Sequence, residues 1–400
     1  MFRNKSHFDQ GYFFVDPMSD ELNMNMSQNM SSDEIDPWQI NIYNEYPVMT
    51  KLVRNMHTYF LPFLITIGLT GNTLSALVFT KTYLKTISSS VYLTALAVSN
   101  NGYLISVLTL WMDTELKWPL YHQKDWCPTM VFLNHLCDFL SAWFVVSFMV
   151  ERYIAIFYPL KRPEMCTSFR AKIICAVITF IGLSLYVCTT WTNDVLHTPY
   201  GSVCLPINPK YENIHFAINY IDFVLILIMP VLTIIIMNIK IAHKISYFYG
   251  RQNIEEFRKR HVGKITAKTT NLGSRAQIKV TKVLLILSTV VLLINLPIRA
   301  MKLRSTILSI QDQDWRESTL EYLWQTFFNI LYYSSFSINF IIYSICSKNF
   351  RRALVRYAWQ RKYRTMSFFR RRRTFLFRRT PRSVPTEQRN MLDTPSPNPS

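Results

Sequence analysis

Glycine is scarce in this chain, nine residues in four hundred. None sits in a phosphate-cradling pattern, which argues against a nucleotide-binding loop. Histidine, cysteine and aspartate show no clustered metal-ligand spacing, and no nucleophile elbow is present. No metal or cofactor is expected, and an enzyme is disfavoured. Seven cysteines are too few for a disulfide framework. Internal repeats and matching interrupted half-helices, the marks of many transporters, are also missing. A cleavable leader is not expected either. The first fifty residues are polar, and Gly11-Tyr12-Phe13-Phe14-Val15 is too short for the apolar core of a signal peptide.

Long apolar runs are what the chain has in abundance. Seven cover about residues 58–80, 88–112, 127–157, 171–192, 214–240, 278–301 and 319–345. Each holds the roughly 20 apolar residues that a membrane-crossing helix needs. Pro62, Pro230 and Pro297 lie inside runs, where neighbouring helices can satisfy the freed backbone groups. The expected fold is an all-α membrane protein, a seven-transmembrane helix bundle.

Charge gives the bundle a direction. Residues 1–57 hold eight acidic and four basic residues, whereas the segment after Cys346 holds fifteen basic and two acidic, +13 of the net +19. Lys81, Lys85, Lys161, Arg162, Arg170, Lys172 and a basic 240–282 loop fall on the side of that tail, and Lys51 and Arg54 run against the trend. The positive-inside pattern places the N-terminus outside and the C-terminus in the cytoplasm. Acceptor tripeptides for glycosylation at Asn4, Asn25 and Asn29 agree with an outside tail. The excess basic charge points to anionic inner-leaflet lipid rather than nucleic acid.

The third run, Cys127 to Pro159, is long enough to cross a bilayer and project beyond it. One end carries a cysteine and the other Glu151-Arg152-Tyr153. Between them Asn134, Asp138, Ser141 and Val145 are spaced four, three and four apart and share one helical face. Burying Asp138 in hydrocarbon is costly, so that face should look into a bundle or a wet cavity. Of the cysteines, only Cys127 and Cys204 fall on predicted outer surfaces, where oxidation persists. A bridge between them would tie the loop before the fifth run across the outer mouth.

Four runs place polar groups near the outer third: Asn134, His135 and Asp138; Asp222; Arg299 and Lys302; Gln325, Asn329 and Tyr333. These are the candidate ligand contacts, since charges at that depth usually serve function. The competing reading is an internal ion pair, Asp138 or Asp222 with Arg299, that serves packing alone. His135 by itself reads as a satisfied interior histidine. Acids in the outer tail and loops (Asp194, Glu212, Asp312, Asp314, Glu317, Glu321) should attract a cationic ligand. Asn72 and the polar residues around Asn100 and Asn101 read as interhelical hydrogen bonding. After the seventh run, Phe350, Leu354 and Tyr357 recur at helical spacing among arginines, as in an amphipathic helix on a membrane surface.

In order along the chain, Cys127, Glu151-Arg152-Tyr153, Pro159, Cys204, Pro230, Pro297, Asn339 through Tyr343 and Phe350-Arg351-Arg352 resemble a rhodopsin-like G-protein-coupled receptor over about residues 55–358. Asn295-Leu296-Pro297, the Ser337–Tyr343 segment and Asn349-Phe350-Arg351-Arg352 look most like invertebrate FMRFamide-type neuropeptide receptors. The resemblance implies a peptide ligand, heterotrimeric G-protein coupling, and further partners in arrestin, receptor kinases and membrane lipid, at the plasma membrane. It implies a Cys127–Cys204 disulfide and an Arg152 held at rest by Glu151. It also implies that Tyr343 swings inward and that Leu160 inserts into the Gα subunit.

The same resemblance exposes departures. Asn100 stands for the acid of helix two, Thr179 for the tryptophan of helix four and Asn238 for the tyrosine of helix five. Asn295 stands for the tryptophan of helix six and Phe340 for the proline of helix seven. Residues 319–345 contain no lysine for a retinal Schiff base, and Asn134 stands where amine receptors carry aspartate. The expected domains are an outer glycosylated tail, 1–55, and the receptor bundle, 56–346. An amphipathic inner-leaflet helix, 347–360, and a disordered basic tail, 361–400, complete the chain. Alternatives are a receptor for a non-peptide ligand and, in another class, a transporter or channel.

Overall fold

The structure is a computed structural model; it describes residues 45–198, 201–205, 209–262, 289–290, 293–305, 307–308 and 318–377. Asn4, Asn25 and Asn29, the acids Asp312, Asp314 and Glu317, and the tail beyond 377 lie outside the described residues.

The first helix, α1, covers Pro47–Lys81 with a wide π turn at Met56–Phe60. It starts nine residues before the expected boundary at 56. Pro47 supplies the preset backbone angle of a first helical position, and Val53 and Thr50 are buried, so the segment packs as helix rather than tail. Next come α2 (Ser89–Leu116), α3 (Trp126–Phe157) and α4 (Ser168–Tyr186). A hairpin follows, β1 (Asp194–Thr198) paired antiparallel with β2 (Gly201–Leu205). The fifth helix, α5, runs through Glu212–Asp222, a π turn at Phe223–Ile228, and Met229–Val262. α6 is helical over 293–305, α7 covers Thr319–Cys346 and α8 Lys348–Phe377. Among the described residues five helices are long and apolar enough to cross a membrane, or six if the bent pair of α7 and the helix after it counts as one span.

Two helices outrun their expected ends. α5 continues to Val262 into what charge alone marks as loop, and α8 continues to Phe377, past the expected boundary at 360. The tail expected to be disordered from 361 is thus helical over 361–377. No proline interrupts α5 after Pro230, and neither proline nor glycine occurs between Lys348 and Thr380. Charged residues end a membrane span without ending a helix.

Two compact units are present, residues 1–353 and 354–400. Within the first, α3 is flanked by α2, α4 and α5, and α2 and α7 pack on α1. Leu61, Ile65, Leu104, Ile298 and Phe336 form one core cluster; Leu96, Leu136, Phe139, Phe144 and Tyr186 form another. Gly71 lets α1 meet α7 closely: a Cβ there would fall 2.8 Å from that of Phe340. Beside it Asn72 Nδ2 donates to the Phe336 carbonyl, 2.8 Å. At the start of α8, Phe350 and Ala353 are buried, and Arg351 Nη1 donates to the last carbonyls of α7, Ser344 at 2.9 Å and Ile345 at 2.5 Å. In the second unit Trp359 stacks on Tyr363.

Candidate ligand-binding and coupling site

The polar face of α3 is a ladder of contacts to other helices. Asn134 Oδ1 accepts from Ser106 Oγ of α2 at 2.9 Å, and Ser141 Oγ donates to Asn100 Oδ1 at 2.9 Å. Between them Asp138 is buried and accepts from both Arg299 of α6 and the hydroxyl of Tyr332 of α7. Arg299 Nη2 also donates to that hydroxyl at 2.7 Å, and its guanidinium lies over the Tyr332 ring, 5.0 Å from the centroid. One carboxylate therefore joins three helices.

Asp222, at the last turn before the π turn of α5, is wired the same way. It pairs with His135 Nδ1 of α3 at 2.8 Å and accepts from the hydroxyl of Tyr186 at the end of α4. The His135 and Tyr186 rings stack, 5.4 Å between centroids. Each acid thus has one base and one tyrosine, the pairing that offsets the cost of desolvating its charge. Of the two internal pairs expected, Asp138 with Arg299 forms, while Asp222 takes His135. Lys302 is half-buried, one turn beyond Arg299 on α6.

On α7, Asn329 is half-buried and Gln325 is buried, with its Oε1 unbonded among the described residues. Tyr333 turns elsewhere: it packs against Tyr103 of α2, inside the core cluster with Leu61. Its neighbour Tyr332 is the residue that meets Asp138. The hairpin closes over this end of α3 through the Cys127–Cys204 disulfide, with Cα atoms 5.7 Å apart. Further pairs tie α1 to α2 (His57 Nδ1 with Glu115, 2.7 Å) and the following loop to α2 (His122 with Asp113, 3.3 Å).

At the other end of α3 Glu151 is buried. It accepts from Ser89 Oγ of α2 and pairs with Arg152 Nη2 at 3.2 Å. The Arg152 guanidinium sits 5.3 Å from the Phe148 ring centroid. Tyr153 stacks on Phe157, 4.4 Å between centroids. Leu160 is 92% exposed, just beyond the helix end. Asn339 and Tyr343 are buried on α7, and Tyr343 packs against Phe79 and Phe350. Its hydroxyl has no partner among the described residues, and neither has Asn295 Oδ1, half a turn before Pro297 on α6.

Tyr332, Tyr186, Ser106 and Ser89 were not among the expected site residues. Tyr332 has a signal in its spacing, three after Asn329 and seven after Gln325 on one helical face. Nothing local marks Tyr186 or Ser89.

The sequence profile described as 7 transmembrane receptor (rhodopsin family) matches residues 71–343, more than half the chain. The chain belongs to this family. Rat (Rattus norvegicus) neurotensin receptor type 1 is 28% identical over 318 residues, 73% of each chain. The human (Homo sapiens) thyrotropin-releasing hormone receptor is 25% identical over 305 residues, 72% of this receptor and 74% of the relative. G-protein coupled receptor 183-B of Danio rerio is 22% identical over 233 residues, 57% and 59%. This rhodopsin-family receptor is a multi-pass membrane protein and not an enzyme.

Its departures from the family pattern have visible consequences. Phe340, in place of proline, leaves α7 helical without a break from Thr319 to Cys346. Asn100 is held by Ser141, with its Nδ2 unbonded among the described residues, so the polar centre of the bundle carries an amide where the family carries a charge. Thr179 bonds back to the Cys175 carbonyl of its own helix, 2.8 Å.

Proposed function

We propose that this receptor responds to a short, cationic, amidated peptide, of the kind recognised by FMRFamide-type receptors, and signals through heterotrimeric G proteins. The observation that carries the reading is the largely enclosed polar cluster at the hairpin end of the bundle, where three helices present Asp138, Asp222, Arg299 and Lys302 beneath a disulfide-tied hairpin. Relatives named for neurotensin and thyrotropin-releasing hormone support a peptide ligand. Asn134, His135, Gln325 and Asn329 line the same region, while Tyr333 acts from behind it by bracing Tyr103 and Tyr332. Both acids already hold internal partners, so a ligand cation competes with His135 for Asp222 or with Arg299 for Asp138.

The N-terminal tail, 1–46, is extracellular and glycosylated, and the Arg152 end faces the cytoplasm. There Arg152, released from Glu151, receives the G protein, Leu160 docks on Gα, and Asn295, Pro297, Asn339 and Tyr343 shape the opening. Arrestin and receptor kinases act on the basic tail, and α8 rests on anionic lipid of the plasma membrane. The test is a panel of amidated neuropeptides on cells expressing the receptor with a promiscuous Gα, reading calcium. A response to Arg-Phe-amide peptides is expected. Silence across the panel, together with activation by a non-peptide through the same cluster, would overturn the reading.

A further inference from the structure

We propose that Asp138, Arg299 and Tyr332 form a latch that keeps the receptor at rest by holding α6 and α7 against α3. The proposal rests on the receptor reading but not on the identity of the ligand. Three observations carry it.

The first is connectivity. Arg299 donates to Asp138 and to the Tyr332 hydroxyl, lies over the Tyr332 ring, and Tyr332 itself donates to Asp138. Arg299 is the α6 member of both the Asp138 and the Tyr332 contacts, so a step of α6 away from α3 and α7 breaks those together and leaves only the Tyr332–Asp138 bond between α7 and α3. Contacts that fail together make a two-state element rather than a continuously deformable one.

The second is setting. The Arg299 and Asp138 side chains are 14% and 11% exposed, close to buried yet still reached by solvent. Tyr332 is clamped edge-on between Tyr103 and Phe336, with centroids 5.9 and 5.2 Å away. α7 therefore offers Arg299 a fixed anchor. A ligand that bonds either charge changes the balance of the whole set, because one member of a buried pair cannot be left alone cheaply.

The third is a polar group this arrangement leaves wanting. Asn295, one turn before Arg299 on the same face of α6, has a buried Oδ1 with no partner among the described residues. Among the described residues the resting arrangement satisfies Arg299 and gives Asn295 Oδ1 no donor, as expected for a helix whose alternative position is close in free energy.

The experiment is ligand-independent exchange of radiolabelled GTPγS on membranes bearing equal amounts of surface receptor. Asp138→Asn and Arg299→Gln should each raise basal exchange at least about fivefold, the low end of coupling between sites. The double variant should fall clearly short of the product of the two singles, since both changes remove the same Arg299–Asp138 contact. Unchanged basal exchange in both singles would reduce the trio to packing and overturn the proposal, as would effects that multiply in the double variant. Tyr332→Phe removes only the hydroxyl and covers the case in which the charge variants do not reach the surface. It should raise basal exchange about threefold, the weight of one buried hydrogen bond, and no rise there is equally fatal. No ligand is present in any arm, so failure here is distinct from failure of the peptide panel.

Discussion

Asp222 is the acid best placed to meet a ligand without disturbing the rest of the bundle. His135 on α3 and Tyr186 on α4 hold it, whereas Asp138 ties α3 to both α6 and α7. Asp222→Asn keeps the shape and an acceptor for Tyr186 but removes the charge a cationic peptide would seek. The half-maximal dose should rise about tenfold or more, near 1.4 kcal/mol, with surface expression unchanged. A dose–response curve that superimposes on the parent would take Asp222 out of the ligand site. At this scale the polar face of α3 was readable beforehand, because Asn134, Asp138 and Ser141 repeat at helical spacing. Choosing Tyr332 over Tyr333 was not. Adjacent residues point about 100° apart on a helix, and which one faces Asp138 depends on how α7 is rotated in the bundle, a tertiary quantity.

The elements show how far apolar composition goes. It locates the runs, and the departures at their ends come from residues that composition ignores. Pro47 opens α1 early, and the absence of proline lets α5 and α8 run on through charge. The exit of α2 is another such place. Lys117 caps it with φ 56°, the left-handed region where glycine usually sits, and its N–H returns to the Met112 carbonyl. In a chain so poor in glycine, a lysine carries that strain. Lys117→Gly should stabilise the receptor by about 0.5–1 kcal/mol, the relief of the left-handed Cβ clash less the added freedom of the unfolded chain. The check is the Tm of detergent-solubilised receptor, and a fall would mean that the lysine side chain contributes more than its backbone costs.

For the whole molecule the decisive property is an odd number of membrane crossings. Acid dominates before the first span, and +13 of the net charge follows the last. An epitope at the N-terminus should stain intact cells, and one at the C-terminus only permeabilised cells. Staining of both ends on the same side would contradict seven spans and the separation of ligand site from Arg152.

α3 has neither glycine nor proline between Pro128 and Pro159, whereas α1 and α5 each carry a wide π turn. Helices bend sharply only at such features. Asp138 and Arg152 lie fourteen positions apart on this one uninterrupted rod, about 21 Å at 1.5 Å per residue. Fourteen steps of 100° bring them back to within about 40° of the same side. α3 therefore behaves as an axle: torque applied at one journal arrives at the other as roll, and bending is left to the helices that carry a π turn or an internal proline, α1, α5 and α6.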